Sequence, residues 1–219
     1  MLAKLKLCVF VLAILAALAA RADDWPAAQT KEVFSESREW FVRVVPGKSV
    51  GDTIGFEGSP KGEYAKAEFY KRQGDRSYRL KEEITLLNPV APVLFLVTDR
   101  GYLVTLDNWH NMGYGWIVAS YSPRGQRVVS YSLRDFFTDG EIQSFQRSVS
   151  SIWWRKDTVY VREGQQSVYV MVDEKGSELI FEPETGAWQY CEWKGNSQFC
   201  RTANGGRTWK PYVEPKLRP

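Results

Sequence analysis

Short apolar runs with a period of two dominate this chain and constrain its fold more than any other feature. Residues 102–106, 158–161, 167–172 and 178–181 are rich in β-branched and aromatic side chains, span four to six positions and end at Gly, Asp, Pro or Ser. Along such a run, alternate side chains fall on opposite faces of a pleated strand, so one face is buried. Helical spacing is nearly confined to residues 133–148. There Ser132-Leu133-Arg134-Asp135 and Thr138-Asp139-Gly140-Glu141 have the form of helix-start caps, in which a hydroxyl accepts a backbone N–H and a carboxylate returns the bond. The expected fold class is all-β, with one or two short helices near 133–148 serving as a connector that covers a sheet edge or end.

The first 22 residues differ in character. Lys4 and Lys6 precede an apolar run from Leu7 to Ala20, and Ala17, Ala19, Ala20 and Ala22 supply the small-x-small pattern of a signal-peptidase site. The run is shorter than the roughly 20 apolar residues that cross a bilayer. Residues 1–22 are therefore expected to be a secretory signal peptide. Residues 23–219 then form a single all-β domain, secreted or periplasmic, with no stable membrane insertion after cleavage. Lys4, Lys6 and Arg21 are the only charges in the leader, so 26 of the 29 basic residues stay with all 26 acidic ones. A chain so balanced lacks the positive field that gathers phosphates, which excludes nucleic acid as an expected partner.

Export also removes Cys8 and leaves Cys191 and Cys200, nine positions apart. In an oxidising compartment such a pair reads as a disulfide, here closing a C-terminal hairpin over about 186–210. A zinc site usually needs four Cys, His or carboxylate ligands, and His110, the one histidine, is remote in sequence. Neither a metal nor a cofactor is expected.

Lys71-Arg72-Gln73-Gly74, Ser122-Pro123-Arg124-Gly125 and Asp173-Glu174-Lys175-Gly176 place turn glycines 51 residues apart. Each glycine is expected to supply the positive φ that a short hairpin loop needs. The interval divides the chain into three repeat-like units near 38–87, 92–132 and 151–182. Strands are expected near 92–98, 102–107, 115–121 and 126–132 in the middle unit, and near 151–154, 157–162, 167–173 and 177–182 in the last. Four antiparallel strands of this length, with Val97-Thr98-Asp99-Arg100-Gly101-Tyr102-Leu103-Val104 as strand, Asp-x-Gly turn and strand, resemble one blade of a β-propeller. The resemblance covers most of residues 23–219 and implies antiparallel four-stranded units in an incomplete or small propeller-like stack. The Trp-Asp and Gly-His signatures of the best-known propeller repeats are absent, and three units are fewer than the four at which a ring closes. An open stack, a four-bladed ring completed by the termini and a β-sandwich stay open as alternatives. No known activity comes with the resemblance.

Residues 107–116 carry the densest set of binding side chains. Asp107, Asn108 and Asn111 offer oxygens and amides, His110 an imidazole, and Trp109, Tyr114 and Trp116 flat faces that stack on a sugar ring. These seven are the candidate ligand-binding residues. In the competing reading, Trp109 and Trp116 plug a sheet interface while Asp107 and Asn108 bond to loop backbone. The Asp-x-Asp-x-Asp-Gly spacing of a calcium loop is absent.

No catalytic residue is assigned. No Gly-x-Ser-x-Gly elbow surrounds Ser148, Ser150 or Ser151. Glycosidase chemistry needs two carboxylates about 5 to 10 Å apart, and Asp99 with Asp107, flanking one strand, is the first pair to consider. Nine tryptophans are the remaining clue. Trp153 and Trp154 must point to opposite faces of a strand, so one enters the core while the other meets a second element or a partner. Trp188, Trp193 and Trp209 concentrate further indoles in the C-terminal hairpin. The expected function is a non-catalytic binding or scaffold module whose partner is a glycan or an extracellular protein. The alternative is a hydrolase of cell-envelope carbohydrate.

Overall fold

A computed structural model describes residues 25–74, 77–162, 166–195 and 197–203, together with the backbone of 207–211. The segment expected to be a signal peptide lies outside the described residues. Apolar runs pair with their sequence neighbours, always antiparallel. The first sheet holds β1 (Lys31–Phe34), β2 (Trp40–Val45), β3 (Lys66–Arg72) and β4 (Tyr78–Thr85) in that order. The second holds β5 (Pro92–Val97), β6 (Leu103–Asn108), β7 (Val118–Tyr121) and β8 (Arg127–Tyr131). Two short helices follow, α1 (Leu133–Phe136) and α2 (Asp139–Ser144), then a small ribbon of β9 (Gln146–Arg147) and β10 (Ile152–Trp153). The third large sheet runs through β11 (Val159–Val161), β12 (Val168–Met171), β13 (Glu178–Phe181), β14 (Trp188–Lys194), β15 (Ser197–Thr202) and β16 (Arg207–Pro211). The fold is all-β, and among the described residues no sheet closes into a barrel.

The second sheet is the middle layer of an open stack. Phe95, Val97, Leu103, Ala119 and Tyr121 on one face join Val42, Val44, Ala67 and Phe69 of the first sheet in one core. Val104, Leu106 and Val118 on the other face join Val168, Val170, Leu179 and Phe181 of the third sheet in a second core. β6 is therefore buried on both sides from Leu103 to Asp107. The one buried face expected from its alternation is thus corrected: both faces are covered, and the polar Thr105 and Asp107 are buried along with the apolar residues.

The helix-start caps form as expected. Asp135 Oδ2 accepts the Ser132 backbone N–H at 2.7 Å, and Glu141 Oε2 accepts that of Thr138 at 2.7 Å. The helices do more than cover an edge, because Leu133, Phe136 and Phe137 are buried in the second core. Arg201 of β15 clamps them from outside, donating to both carboxylate oxygens of Glu141 and to the Phe136 carbonyl.

Two expectations need correction. Gly125 and Gly176 have φ of 77° and 84°, but Gly74 is not among the residues of positive φ. The expected first strand of the last unit, near 151–154, leaves the third sheet: β10 pairs with β9, and Ile152 N–H donates to the Met112 carbonyl. Gly74 and Gly125 sit in third hairpins of their sheets, whereas Gly176 sits between the second and third strands of its own. The even spacing of the glycines thus does not correspond to three units in phase. β1 was also missed, and the C-terminal hairpin extends the third sheet to six strands. Within it Cys191 and Cys200 stand directly opposite each other on β14 and β15, with Cα atoms 4.1 Å apart and sulfurs within bonding distance. Trp154 is fully buried while Trp153 is exposed, as their adjacency requires.

Candidate functional site

Asp107 sets the geometry of the loop that leaves β6. Its backbone is left-handed at φ 58°, a conformation that Asp tolerates better than most residues. Its carboxylate is fully consumed inside the protein. Oδ1 accepts from Trp154 Nε1 at 2.7 Å and from the Gly113 backbone N–H at 2.9 Å, and Oδ2 accepts from Arg155 Nε at 2.7 Å. Both side chains of this ion pair are essentially without solvent contact. Gly113 must be a glycine for a second reason besides its φ of 79°: a Cβ there would lie 2.6 Å from the Ile152 carbonyl oxygen.

Amides stitch the loop to its surroundings. Asn108 Nδ2 donates to the Tyr114 carbonyl at 2.9 Å, and its Oδ1 accepts from Asn88 Nδ2 at 2.8 Å. Asn111 behaves like a strand partner to Ile54: Oδ1 accepts the Ile54 N–H at 2.7 Å and Nδ2 donates to the Ile54 carbonyl at 3.0 Å. Trp109 turns away, donating from Nε1 to the Pro26 carbonyl and packing its ring 5.3 Å from that of Trp25. His110 lies between Trp25 and Phe56, and its burial lowers the imidazole pKa. Of the seven expected binding residues, Asn108, Asn111, Tyr114 and Trp116 line a common cleft, while Asp107, Trp109 and His110 support the loop behind it.

That cleft has a volume of about 360 Å³. One wall is Asp52, Thr53 and Ile54; the other is Asn108, Tyr114 and Trp116, with Tyr64, Leu87 and Pro89 completing the lining. Trp116 is 48% exposed and presents the largest free aromatic surface of the site. Asp52 is the one carboxylate among the described lining residues. It is bonded to Lys61 Nζ at 2.6 Å and to Ser49 Oγ at 2.6 Å, and these two bonds hold its pKa below the usual carboxylate range. Burial raises the Tyr64 phenol, with the Asp52 charge adding to the effect. Asp99 and Asp107 stand at opposite ends of β6, a strand length of roughly 20 Å. Asp99 accepts the Ser37 backbone N–H there, so the two do not form a catalytic pair.

Asp52, Thr53, Ile54 and Tyr64 escaped the sequence reading because they lie in residues 46–65, a connection without hydrophobic periodicity. Its length was the available signal, since structureless connections beyond about 12–15 residues are uncommon and usually functional. Among the described residues no group of three or more His, Cys, Asp or Glu is placed to hold a metal, and no helix is long and apolar enough to cross a membrane. Compared with protein-family models, curated proteins and solved structures, the chain has no significant match.

Proposed function

We propose that the protein is an exported binding module whose cleft takes a ring-bearing ligand of the carbohydrate class, with Trp116 as the stacking platform. The observation that carries this reading is the pairing of a half-exposed indole with a cleft whose carboxylate and amide side chains, Asp52, Asn108 and Asn111, are already held by hydrogen bonds within the protein. Such a wall offers a flat apolar face and a few spare lone pairs, which suits the C–H face of a sugar held without bond cleavage. Hydrolysis would call for a second carboxylate across the cleft. Asp52 has none facing it among the described lining residues, and Lys61 already occupies one of its oxygens.

Export is part of the proposal. It is supported by the charged, apolar and small-residue sequence of residues 1–22 and by the Cys191–Cys200 pair, whose bonding suits an oxidising compartment. The test is a glycan array probed with the purified protein, followed by chromatography of each bound saccharide after prolonged incubation. Retention of an intact saccharide supports the binding module; shortened products would replace it with the hydrolase, and an array without any signal would remove the carbohydrate assignment.

A further inference from the structure

We infer that Asn111 is a positioning residue of the cleft: it holds no ligand itself but latches the wall of residues 52–54 opposite Trp116, a role that presupposes the binding cleft proposed above. Asn111 is 3% exposed, and both hydrogens of its amide are spent, on the Ile54 carbonyl at 3.0 Å and on the Ser150 carbonyl at 3.4 Å. Its Oδ1 accepts the Ile54 N–H at 2.7 Å. A side chain so engaged has no donor left for a ligand hydroxyl.

The wall depends on this latch. The 46–65 connection is tied down at its base, where the Gly47 N–H donates to the Val90 carbonyl and the Ala65 N–H to that of Asn88. Its two arms bond to each other, Lys48 N–H to the Glu63 carbonyl and Gly51 N–H to that of Pro60. From residue 50 to residue 62, however, the Ile54–Asn111 pair is the one hydrogen-bonded tie to anything outside the connection among the described residues. Beyond it the tip is thinly packed: Phe56 lies against the His110 ring at 5.1 Å, while a Cβ at Gly55 or Gly58 would meet nothing within 4 Å.

The loop after β6 is built to aim this amide. The Asn111 N–H donates to the Asn108 carbonyl, closing a four-residue turn whose third residue, His110, takes φ 72°. From the same turn, Asn108 Nδ2 donates to the carbonyls of Tyr114 at 2.9 Å and Trp116 at 3.4 Å. One amide of the turn therefore sets the Trp116 side of the cleft and the other sets the Ile54 side, so the width between them is fixed by two side chains three residues apart.

The test is native-state hydrogen exchange of the full-chain protein, read over residues 50–58 and over β6 and β7, for the unaltered sequence, Asn111→Asp and Ile54→Pro. Asn111→Asp keeps the shape of the side chain, but its carboxylate turns an oxygen toward the carbonyls of Ile54 and Ser150; once protonated it again offers one donor and one acceptor. Burial raises the pKa of that introduced carboxyl, so the latch is expected to be lost near about pH 7 and regained near about pH 4.5. Asp52 and Glu57 on the wall, Asp107 and His110 on the loop, and Arg147 on the segment that carries Ser150 are common to both proteins, so their difference isolates position 111. At the upper pH, residues 50–58 of Asn111→Asp are expected to lose at least tenfold in protection with β6 and β7 unchanged, and at the lower pH to match the unaltered protein. Ile54→Pro removes the donated N–H, and Thr53 already has the extended backbone (φ −96°, ψ 146°) that precedes proline. It is expected to be equally loose at both pH values, and it decides the matter if Asn111→Asp does not fold. Unchanged protection over 50–58, or a loss spread evenly through β6 and β7, would overturn the inference. Cellotriose and chitotriose titrated into the same samples read the cleft. Whichever the unaltered protein binds, Asn111→Asp is expected to bind at least fivefold more weakly at the upper pH and equally at the lower; equal affinity at both would also overturn the positioning role. Binding of neither trisaccharide would count against the carbohydrate reading alone, and the exchange comparison would still decide the latch.

Discussion

Asp107 accepts three hydrogen bonds in a position closed to solvent, one of them from a buried guanidinium. Removing one partner of such a pair leaves the other charge buried without compensation, which typically costs about 3 to 5 kcal/mol. Asp107→Ala is therefore expected to lower unfolding stability by that amount in chemical denaturation. Asp107→Ala combined with Arg155→Met is expected to recover part of the loss, and additive losses would show that the pair is not coupled. Tyr190 gives a second test at this scale. Burial pushes its phenol up from 10.0 to about 12 beneath the Arg201 guanidinium. The unfolded chain then releases this proton first, so stability falls as pH rises from 10 to 12. Tyr190→Phe is expected to melt with a shallower pH dependence over that interval. The engagement of Asn108 with loop backbone was legible in its residue type and position. Arg155 was not, because no periodicity links it to a carboxylate 48 residues earlier.

Gly125 shows how a hairpin turn also sets the distance between sheets. Its φ is 77°, and a Cβ would approach Ile84 Cγ2 to 2.5 Å and Glu82 Cγ to 2.7 Å on β4. Gly125→Val is expected to destabilise by more than about 1 kcal/mol through backbone strain and this clash together; a neutral melting shift would contradict both. The Cys191–Cys200 link closes a loop of about ten residues, for which the chain-entropy model gives roughly 2 to 3 kcal/mol. Reduction is expected to lower the melting temperature by several degrees and to add two hydrogens to the mass. The middle meander could be read strand by strand, because its alternation is bounded by turn residues at every reversal. In the last unit the strands at 159–161, 168–171 and 178–181 fall where expected, but the expected first strand pairs with β9 instead of joining them, because Ile152 is drawn into the core beside Met112 and Trp154 donates to Asp107. β1 was missed for the opposite reason: its burial is slight, so its sequence carries little apolar signal.

At the scale of the molecule, three meanders stack with the second between the first and third, and the cleft opens where the 46–65 connection meets the loop leaving β6. One wall could be read from its aromatic and amide side chains. The other could not, because Asp52, Thr53 and Ile54 owe their position to Asn111 and to the folding back of a long aperiodic connection. The most direct measurement of the account is calorimetric titration of a saccharide identified on the array into the unaltered protein, Trp116→Ala and Trp109→Phe, each checked for an unchanged melt. Trp116→Ala is expected to weaken binding at least tenfold and Trp109→Phe, whose ring packs on Trp25 behind the loop, to leave it unchanged. Equal affinity for Trp116→Ala and the unaltered protein, or a loss confined to Trp109→Phe, would contradict the assignment of the cleft.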